Sequence, residues 1–411
     1  MVVAPPGWEA IGQSGRRSVP LHDWITMPPG TTLMHLPHRL ALGRRCGSGE
    51  VLPIRGRHPL AVAAVLPVGH LRLLLPAHQR AAATEVRTLP LYGYAAVADQ
   101  DGEVVVAAAR SDDFAPWTGP RPGLEELAVA VGRLQRQLSR SRVIAQLSVC
   151  ALQHNCLTAQ NTFLGSGEGA LPTSAACNAD CLGCISLQTD SGAPASQPRI
   201  ARAPTAEDLI AVGSQHLERA SKAGMPGMVS FGQGCEGEPI LRERALLGVV
   251  RELRRRFPLA TLHINTNGSR PLALDRLMAA GLNSCRISVF SFEQELFAAY
   301  YRPRGYDIQD VLESCRTARR RGAQLTVNLL TFPGVTDTAE EAERTMSTLE
   351  QLQVQQLQLR SLNVDPLWLL DRIPEMPAGV GMGQLVELLR ARLPRLSLGN
   401  FTRPLPEAAV V

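Results

Sequence analysis

The chain has 411 residues, a hydrophobic content of 45% and a formal net charge of +5 at pH 7. That length exceeds one ordinary core and suits a barrel-sized domain plus a smaller one. The odd count of 9 cysteines, with no charged region leading into an apolar core at the start, argues against a disulfide-framed secreted protein. No uninterrupted apolar run reaches membrane-spanning length, so the expectation is a cytoplasmic protein with reduced thiols. The mild positive charge permits an acidic partner or a nucleic acid without supporting either. Lys222 is the only lysine, and the runs Arg254-Arg255-Arg256 and Arg319-Arg320-Arg321 fall at predicted helix ends, where cations suit the helix dipole.

Residues 1–121 read as a mostly β amino-terminal domain punctuated by Pro and Gly. The runs Leu60 to Leu66 and Leu71 to Leu75 predict one hairpin, and Leu91 to Ala98 with Glu103 to Ala109, around Asp101-Gly102, predict another. His22, His35, His38, His58, His70 and His78 show no helical metal spacing and read as surface or core residues, and Cys46 as a free thiol. Residues 122–169 form a predicted helical connector in which Leu124, Leu127, Val131, Leu134 and Leu138 step by three and four. Cys150, His154 and Cys156 are close enough for a second metal or cluster, but no complete ligand set is visible, and plain structural thiols are the stronger reading.

From residue 170 strands and helices alternate. A short strand at Leu171 to Ala175 leads to a cysteine-rich loop and a Ser-, Pro- and Ala-rich excursion from Gln188 to Arg199. A helix from Thr205 to Ala223 opens on a capping-type sequence and stops at Gly224. Strands follow at Met228 to Phe231, Thr261 to Thr266, Ser284 to Phe290, Gln324 to Leu330 and Gln355 to Leu359. Helices separate them at Ile240 to Phe257, Leu272 to Ala280, Glu293 to Tyr300 with Asp307 to Arg320, and Ala339 to Leu352. Repeated β/α alternation predicts an α/β fold with a parallel sheet, a partial (β/α)6 TIM-type barrel over 170–370, followed by a helix and tail over 371–411.

In such barrels the working residues lie at the carboxyl ends of the strands. The first predicted strand leads into Cys177-Asn178-Ala179-Asp180-Cys181-Leu182-Gly183-Cys184, whose three thiols can close on one compact inorganic core. A cubane cluster usually takes four cysteines, so three leave one iron open to another ligand. Structural zinc usually wants four protein ligands, and no His follows at finger spacing. The second strand leads into Gly232-Gln233-Gly234-Cys235-Glu236-Gly237-Glu238-Pro239, a turn that exposes backbone groups to a close ligand, and the third into Asn265-Thr266-Asn267-Gly268. Ser288, Asn328 and Arg360 are polar residues in apolar strands, each needing a partner or a ligand in the interior. Cys235 has two readings, a packed thiol or a hydrogen donor or extra ligand beside a group bound at this turn.

The cysteine spacing resembles the signature of the radical S-adenosylmethionine superfamily, and Gly237-Glu238-Pro239 resembles its Gly-Glu-Pro motif. More narrowly, the CNAxCLGCIS block from Cys177, the SFGQGCEGEP block of 230–239, and the blocks of 328–334 and 360–366 look like an uncharacterised family within it. The resemblance covers about Leu171 to Pro366. It implies that Cys177, Cys181 and Cys184 hold a 4Fe-4S cluster and that the open iron chelates S-adenosylmethionine. Gly237, Glu238 and Pro239 would hold the methionyl amino group, with Asn265, Ser288, Asn328 and Arg360 as further cofactor contacts. It also implies reductive cleavage to methionine and a 5′-deoxyadenosyl radical that acts on an unknown substrate, with electrons from a low-potential donor such as flavodoxin or ferredoxin. No cysteine follows Cys315, which argues against auxiliary clusters, or methyl transfer through a cysteine, in a carboxyl-terminal extension. The alternatives are a non-catalytic iron-sulfur electron carrier or redox sensor, and a radical enzyme acting on RNA.

Overall fold

The computed structural model describes residues 7–21, 23–55, 59–81, 87–112 and 122–406. The amino-terminal region is antiparallel and built on one long strand, Thr32–Arg45, which pairs with Trp8–Ser14, Val51–Pro53, Leu60–Val65 and His78–Arg80. Its register shifts between His35 and Leu40, where His38 adopts φ 57°. A bulge re-aims the strand it interrupts, and here Arg39 beside it is fully buried.

The Asp101-Gly102 hairpin is present over Val97–Gln100 and Glu103–Val106, with φ of 53° and 87° at the two turn residues. The other expected hairpin is not. Leu60–Val65 pairs with Thr32–Arg45 and Tyr94–Ala95, whereas His70–Arg72 pairs with Ala108–Arg110. Apolar patterning shows that a segment is a strand but does not choose its partner. His22 and His58 lie outside the described residues; His35 and His38 are exposed, His70 is half-buried, and His78 is buried with Nδ1 on the Pro76 carbonyl.

Three helices connect the two regions: α1 Leu124–Gln137, α2 Arg142–Leu152 and α3 Leu157–Leu164. Helix α1 buries Leu127, Ala130, Val131 and Leu134, but Leu124 is 70% exposed, so its apolar stripe starts one turn later than the sequence suggests.

The barrel sheet runs β1 Glu168–Leu171, β2 Met228–Phe231, β3 Thr261–Thr266, β4 Ser284–Val289, β5 Gln324–Thr331, β6 Gln356–Ser361 and β7 Ser397–Gly399, in sequential order and parallel throughout. Strand β1 begins before the predicted Leu171 to Ala175, because Thr173 to Ala176 instead braces the next loop. Strand β7 is an addition: only three residues long, it follows a terminal helix, α11 Met382–Arg392, within the stretch 371–411 that reads in sequence as a helix and tail. Helices α4 Ala206–Lys222, α5 Glu243–Arg256, α6 Pro271–Ala279, α7 Gln294–Tyr301, α8 Ile308–Arg320, α9 Ala339–Gln351 and the short α10 Pro366–Leu370 complete the set. The caps follow side-chain chemistry: Thr205 accepts from the Asp208 amide, and Asp307 forms a capping box with Asp310. None of the described helices is long and apolar enough to cross a membrane.

Strand alternation divides the sheet into two faces. Ile264, Cys285, Ile287, Leu329 and Leu359 are at most 1% exposed among the core residues. The registers of His263 with Ser284, Asn265 with Arg286, Ser288 with Asn328, and Leu330 with Arg360 place the polar residues together on the other, inner face. Beyond β7 the chain crosses this face: Gln356 donates to the Phe401 carbonyl, Arg286 to Gln358 and Thr402, and the Leu405 amide to Thr261.

The amino-terminal region docks on the carboxyl ends of β5 and β6. Arg39 forms a buried ion pair with Asp365 at 2.6 Å, and Asp365 also accepts from the Leu89 amide and caps α10 through Leu367 and Trp368. Arg72, fully buried, donates to the carbonyls of Thr331, Leu362 and Tyr94 and lies 5.3 Å from the Phe332 ring centroid. At Gly334 a Cβ would come within 2.0 Å of the Gly15 nitrogen, so the two backbones meet directly.

Candidate functional site

The three-cysteine loop leaves β1 at the carboxyl rim of the sheet and is held there through its backbone. The amides of Asp180 and Leu182 donate to the carbonyls of Tyr301 and Tyr300 at the end of α7, and Arg304 donates its amide to the Asn178 carbonyl. A Cβ at Gly183 would lie 2.7 Å from Leu362 and 2.9 Å from the Tyr300 hydroxyl, so glycine is what fits. Cys177, Cys181 and Cys184 are half-buried free thiols. Burial pushes up the pKa of Cys181 first, and the neighbouring Cys184 and Cys177 sulfurs add to the rise, so the three share one electrostatic neighbourhood. Among the described residues no three His, Cys, Asp or Glu side chains converge as they would on a single ion. A cubane binds each thiolate to a different iron and does not require that convergence.

The glycine-rich turn after β2 is clamped against this loop. The amides of Gly237 and Glu238 donate to the carbonyls of Ser174 and Ala176 at 2.7 and 2.8 Å, and a Cβ on Gly237 would lie 2.1 Å from the Ala176 oxygen. Glu236 gathers four backbone amides: Gly232 and Gln233 on one oxygen, Thr173 and Ser174 on the other. Burial pushes its pKa up to about 8 while those amides pull it down. Since all four partners are donors, a proton on either oxygen would face an N–H, and the geometry favours the carboxylate.

Glu238 performs the same office one strand over. It accepts from the Ile240 amide, the Thr266 hydroxyl and the Asn267 amide, tying the turn to the end of β3. Burial raises its pKa to about 7. Asn267 then donates to the Asn178 side chain, 2.9 Å away in the cysteine loop. In the sequence Glu238 stands as a cofactor contact, whereas in the fold its carboxylate is engaged by these three protein donors.

Asn265 stands on the inner face and donates to the Gly232 carbonyl at 2.8 Å. Its oxygen accepts from Nε2 of His263, whose Nδ1 accepts from Ser284. Burial lowers the His263 pKa to about 3, so the ring is neutral and orients the Asn265 amide. Asn328 donates to Ser288 at 3.1 Å, and its buried oxygen has no hydrogen-bond partner among the described residues. Arg360 donates to the Asn400 carbonyl beside Arg286 and Glu168. His263, Arg286 and Glu168 have no counterpart among the sequence candidates; His263 and Arg286 sit two positions from Asn265 and Ser288 on the same alternating face, a period that could have found them, whereas Glu168 precedes the expected start of the first strand.

Three further cysteines form a different set. Cys150 and Cys235 perturb each other's thiols, with Cys156 close to both, and Gln146 donates to the Cys150 sulfur at 3.6 Å. Cys235 is 2% exposed, which supports packing rather than ligation.

Fold and site together define a class: a parallel β/α partial barrel with three thiols on the loop after its first strand. Residues 171–349 match the model of the radical SAM superfamily. The chain thus carries a radical SAM domain, the domain of enzymes that use a 4Fe-4S cluster and S-adenosylmethionine, and the substrate is not shown by it. Solved structures with similar folds include a radical SAM methyltransferase from Sphaerobacter thermophilus (20% identity over 56% of this chain and 65% of that one, TM-score 0.41). Others are the radical S-adenosylmethionine methyltransferase TsrM from Kitasatospora setae (18%, 47% and 36%, TM-score 0.33) and Streptococcus suis SuiB bound to S-adenosylmethionine (12%, 67% and 63%, TM-score 0.40). The chain spans less than two thirds of each of these three. No curated protein matches it.

Proposed function

We propose that this chain is a radical SAM enzyme in which Cys177, Cys181 and Cys184 ligate a 4Fe-4S cluster and the rim formed by 237–239 and Asn265 receives S-adenosylmethionine. The observation that carries the reading is the backbone clamp between the cysteine loop and the Gly237-Glu238 turn, which puts three thiols beside a turn whose carboxylates are already engaged. The donor set fits the group: three sulfurs leave one iron for an exchangeable ligand. When bound, the cluster and S-adenosylmethionine together supply reductive cleavage of the sulfonium to methionine and a 5′-deoxyadenosyl radical.

The protein's own part is placement. The Glu236 and Glu238 braces fix the turn, the neutral His263 orients Asn265, and Ser288, Asn328 and Arg360 line the inner face toward which the radical would act. The amino-terminal domain (1–121), joined through the helical connector (122–169), closes the opposite side of the rim and keeps bulk water from it. The electron donor is a low-potential protein of the flavodoxin or ferredoxin type, and the protein works in the cytoplasm.

The test is to reconstitute the protein anaerobically, reduce it with dithionite, add S-adenosylmethionine and measure 5′-deoxyadenosine. Formation of the nucleoside, and its loss when all three cysteines are alanine, is expected. A cluster that forms and cycles without producing the nucleoside would leave an electron carrier or redox sensor instead.

A further inference from the structure

The excursion of 185–200 folds back on the cysteine loop. Gln197 and Arg199 donate their amides to the carbonyls of Ile185 and Ser186, and Ile200 donates to the Cys235 carbonyl. This pairing seats Arg199 between the cysteine loop and the glycine-rich turn. Its Nε donates to the Ser186 hydroxyl at 3.1 Å, and its Nη2 donates to the Cys184 sulfur at 3.5 Å. Ser186 in turn donates to the Glu236 carbonyl at 3.0 Å, which fixes the oxygen on which Arg199 rests. Arg199 is also a charged neighbour of Cys177, so its guanidinium faces two of the three thiols.

A second cation near the loop is of a different kind. Arg302 is within reach of Cys181 but is paired with Asp180 and Asp190. Among the described residues Arg199 has no carboxylate partner in an ion pair. Its charge is therefore directed at sulfur.

We propose that Arg199 is a positioning residue that sets the reduction potential of the cluster held by Cys177, Cys181 and Cys184, by donating a charge-assisted hydrogen bond to the Cys184 sulfur. The inference rests on the proposed function. Hydrogen bonds to the ligating sulfurs and nearby net charge are among the factors that set the potential of an iron-sulfur centre. One electron from an external one-electron reductant adds one negative charge to the cluster, and a guanidinium beside a ligand sulfur stabilises that added charge. Arg199 thus makes the cluster easier to reduce.

The experiment is a redox titration of the anaerobically reconstituted holoprotein with dithionite, read by the electron paramagnetic resonance signal of the reduced cluster, in wild type, Arg199→Gln and Arg199→Lys. At a fixed solution potential Arg199→Gln is expected to lower the ratio of reduced to oxidised cluster about tenfold, equivalent to about 59 mV for a one-electron couple. Arg199→Lys should recover most of that ratio, because the charge returns without the planar fork. The signal counts only assembled clusters, so partial iron loading does not move the midpoint. An unchanged midpoint in Arg199→Gln overturns the inference, and so does an Arg199→Gln protein that binds no iron, since Arg199 would then build the loop rather than tune its contents. A wild-type protein that forms no 4Fe-4S cluster removes the proposed function itself, a separate outcome.

Discussion

The carboxyl rim of the sheet has two halves built with opposite electrostatics. At the ends of β1 to β3, buried carboxylates gather backbone amides: Glu236 takes four and Glu238 two, with a hydroxyl besides. At the ends of β5 and β6, buried arginines gather backbone carbonyls and a carboxylate: Arg72 takes three carbonyls, and Arg39 takes Asp365 and the Arg87 carbonyl. The first half leaves its thiols half-buried and open to a ligand, whereas the second is covered by protein. The loop of 361–365 joins them, with Leu362 packed at Gly183 on one side and its carbonyl bound to Arg72 on the other. One rim thus braces a half-buried thiol loop and a docked domain by changing the sign of the group that holds its loops.

The largest effect expected from breaking this contrast is in the covered half. Replacing Arg39 with Met leaves Asp365 buried without its cation and should cost about 3–5 kcal/mol in chemical denaturation. Adding Asp365→Asn should restore part of that loss, because Asn keeps an oxygen for the α10 cap while removing the stranded charge. Among the described residues Nε and Nη1 of Arg39 have no hydrogen-bond partner, consistent with an ion pair that is costly to desolvate. A double variant no more stable than Arg39→Met would show that the ion pair is not what the covered half depends on.

Beneath the open half lies His216 of α4, whose ring packs on Gly169 of β1 and bonds the Gly167 carbonyl. Burial lowers its pKa to about 4 from the ordinary 6.5. Below pH 6.5 the unfolded chain takes up a proton that the folded chain refuses until about pH 4, so stability is lost as pH falls across that window. At about 1.4 kcal/mol per unit the loss amounts to about 3 kcal/mol. His263 adds a slope of the same sign, and Glu238, raised by burial, adds one of the opposite sign. The difference between wild type and His216→Gln removes these shared contributions. Denaturant midpoints between pH 7 and 4.5 should converge for the two proteins toward low pH, and parallel curves would contradict the assignment.

Within the open half, Glu236→Gln places an amide NH2 where two backbone N–H groups now meet an oxygen, and should cost about 2 kcal/mol. Iron content after reconstitution should fall with it, since the brace holds both the cysteine loop and the glycine-rich turn. Full stability together with full iron content would mean that the braces are not what shapes this half.

Much of the open half was legible in the sequence because its chemistry is local. The three thiols lie within eight residues, the glycine-rich turn within another eight, and the strands that carry them alternate regularly with helices. The covered half was not, because its determinants are contacts between distant residues: Arg39 with Asp365, Arg72 with Thr331, Gly15 with Gly334. The block from Arg360 to Pro366 reads in sequence as part of a ligand-binding barrel, yet Asp365 braces the docked domain. The false hairpin at Leu60 to Leu75 fails for the same reason, since pairing partners are a tertiary choice. Strand β7 was too short to carry a period.

The smallest expected effect separates the two groups of cysteines. Cys150, Cys156 and Cys235 are near one another, as the cluster-loop cysteines are, but they come from α2, the start of α3 and the turn after β2, and Cys150 and Cys235 are at most 2% exposed. Gln146 donates to the Cys150 sulfur, and the buried thiols behave as small apolar residues with a weak polar contact. Cys150→Ala removes one sulfur from a buried site and should cost about 1 kcal/mol, with the iron-to-protein ratio unchanged after reconstitution. Iron loss in Cys150→Ala comparable to that in Cys181→Ala would make proximity among thiols sufficient for a metal role, and the distinction between a half-exposed loop and a buried packing site would fail.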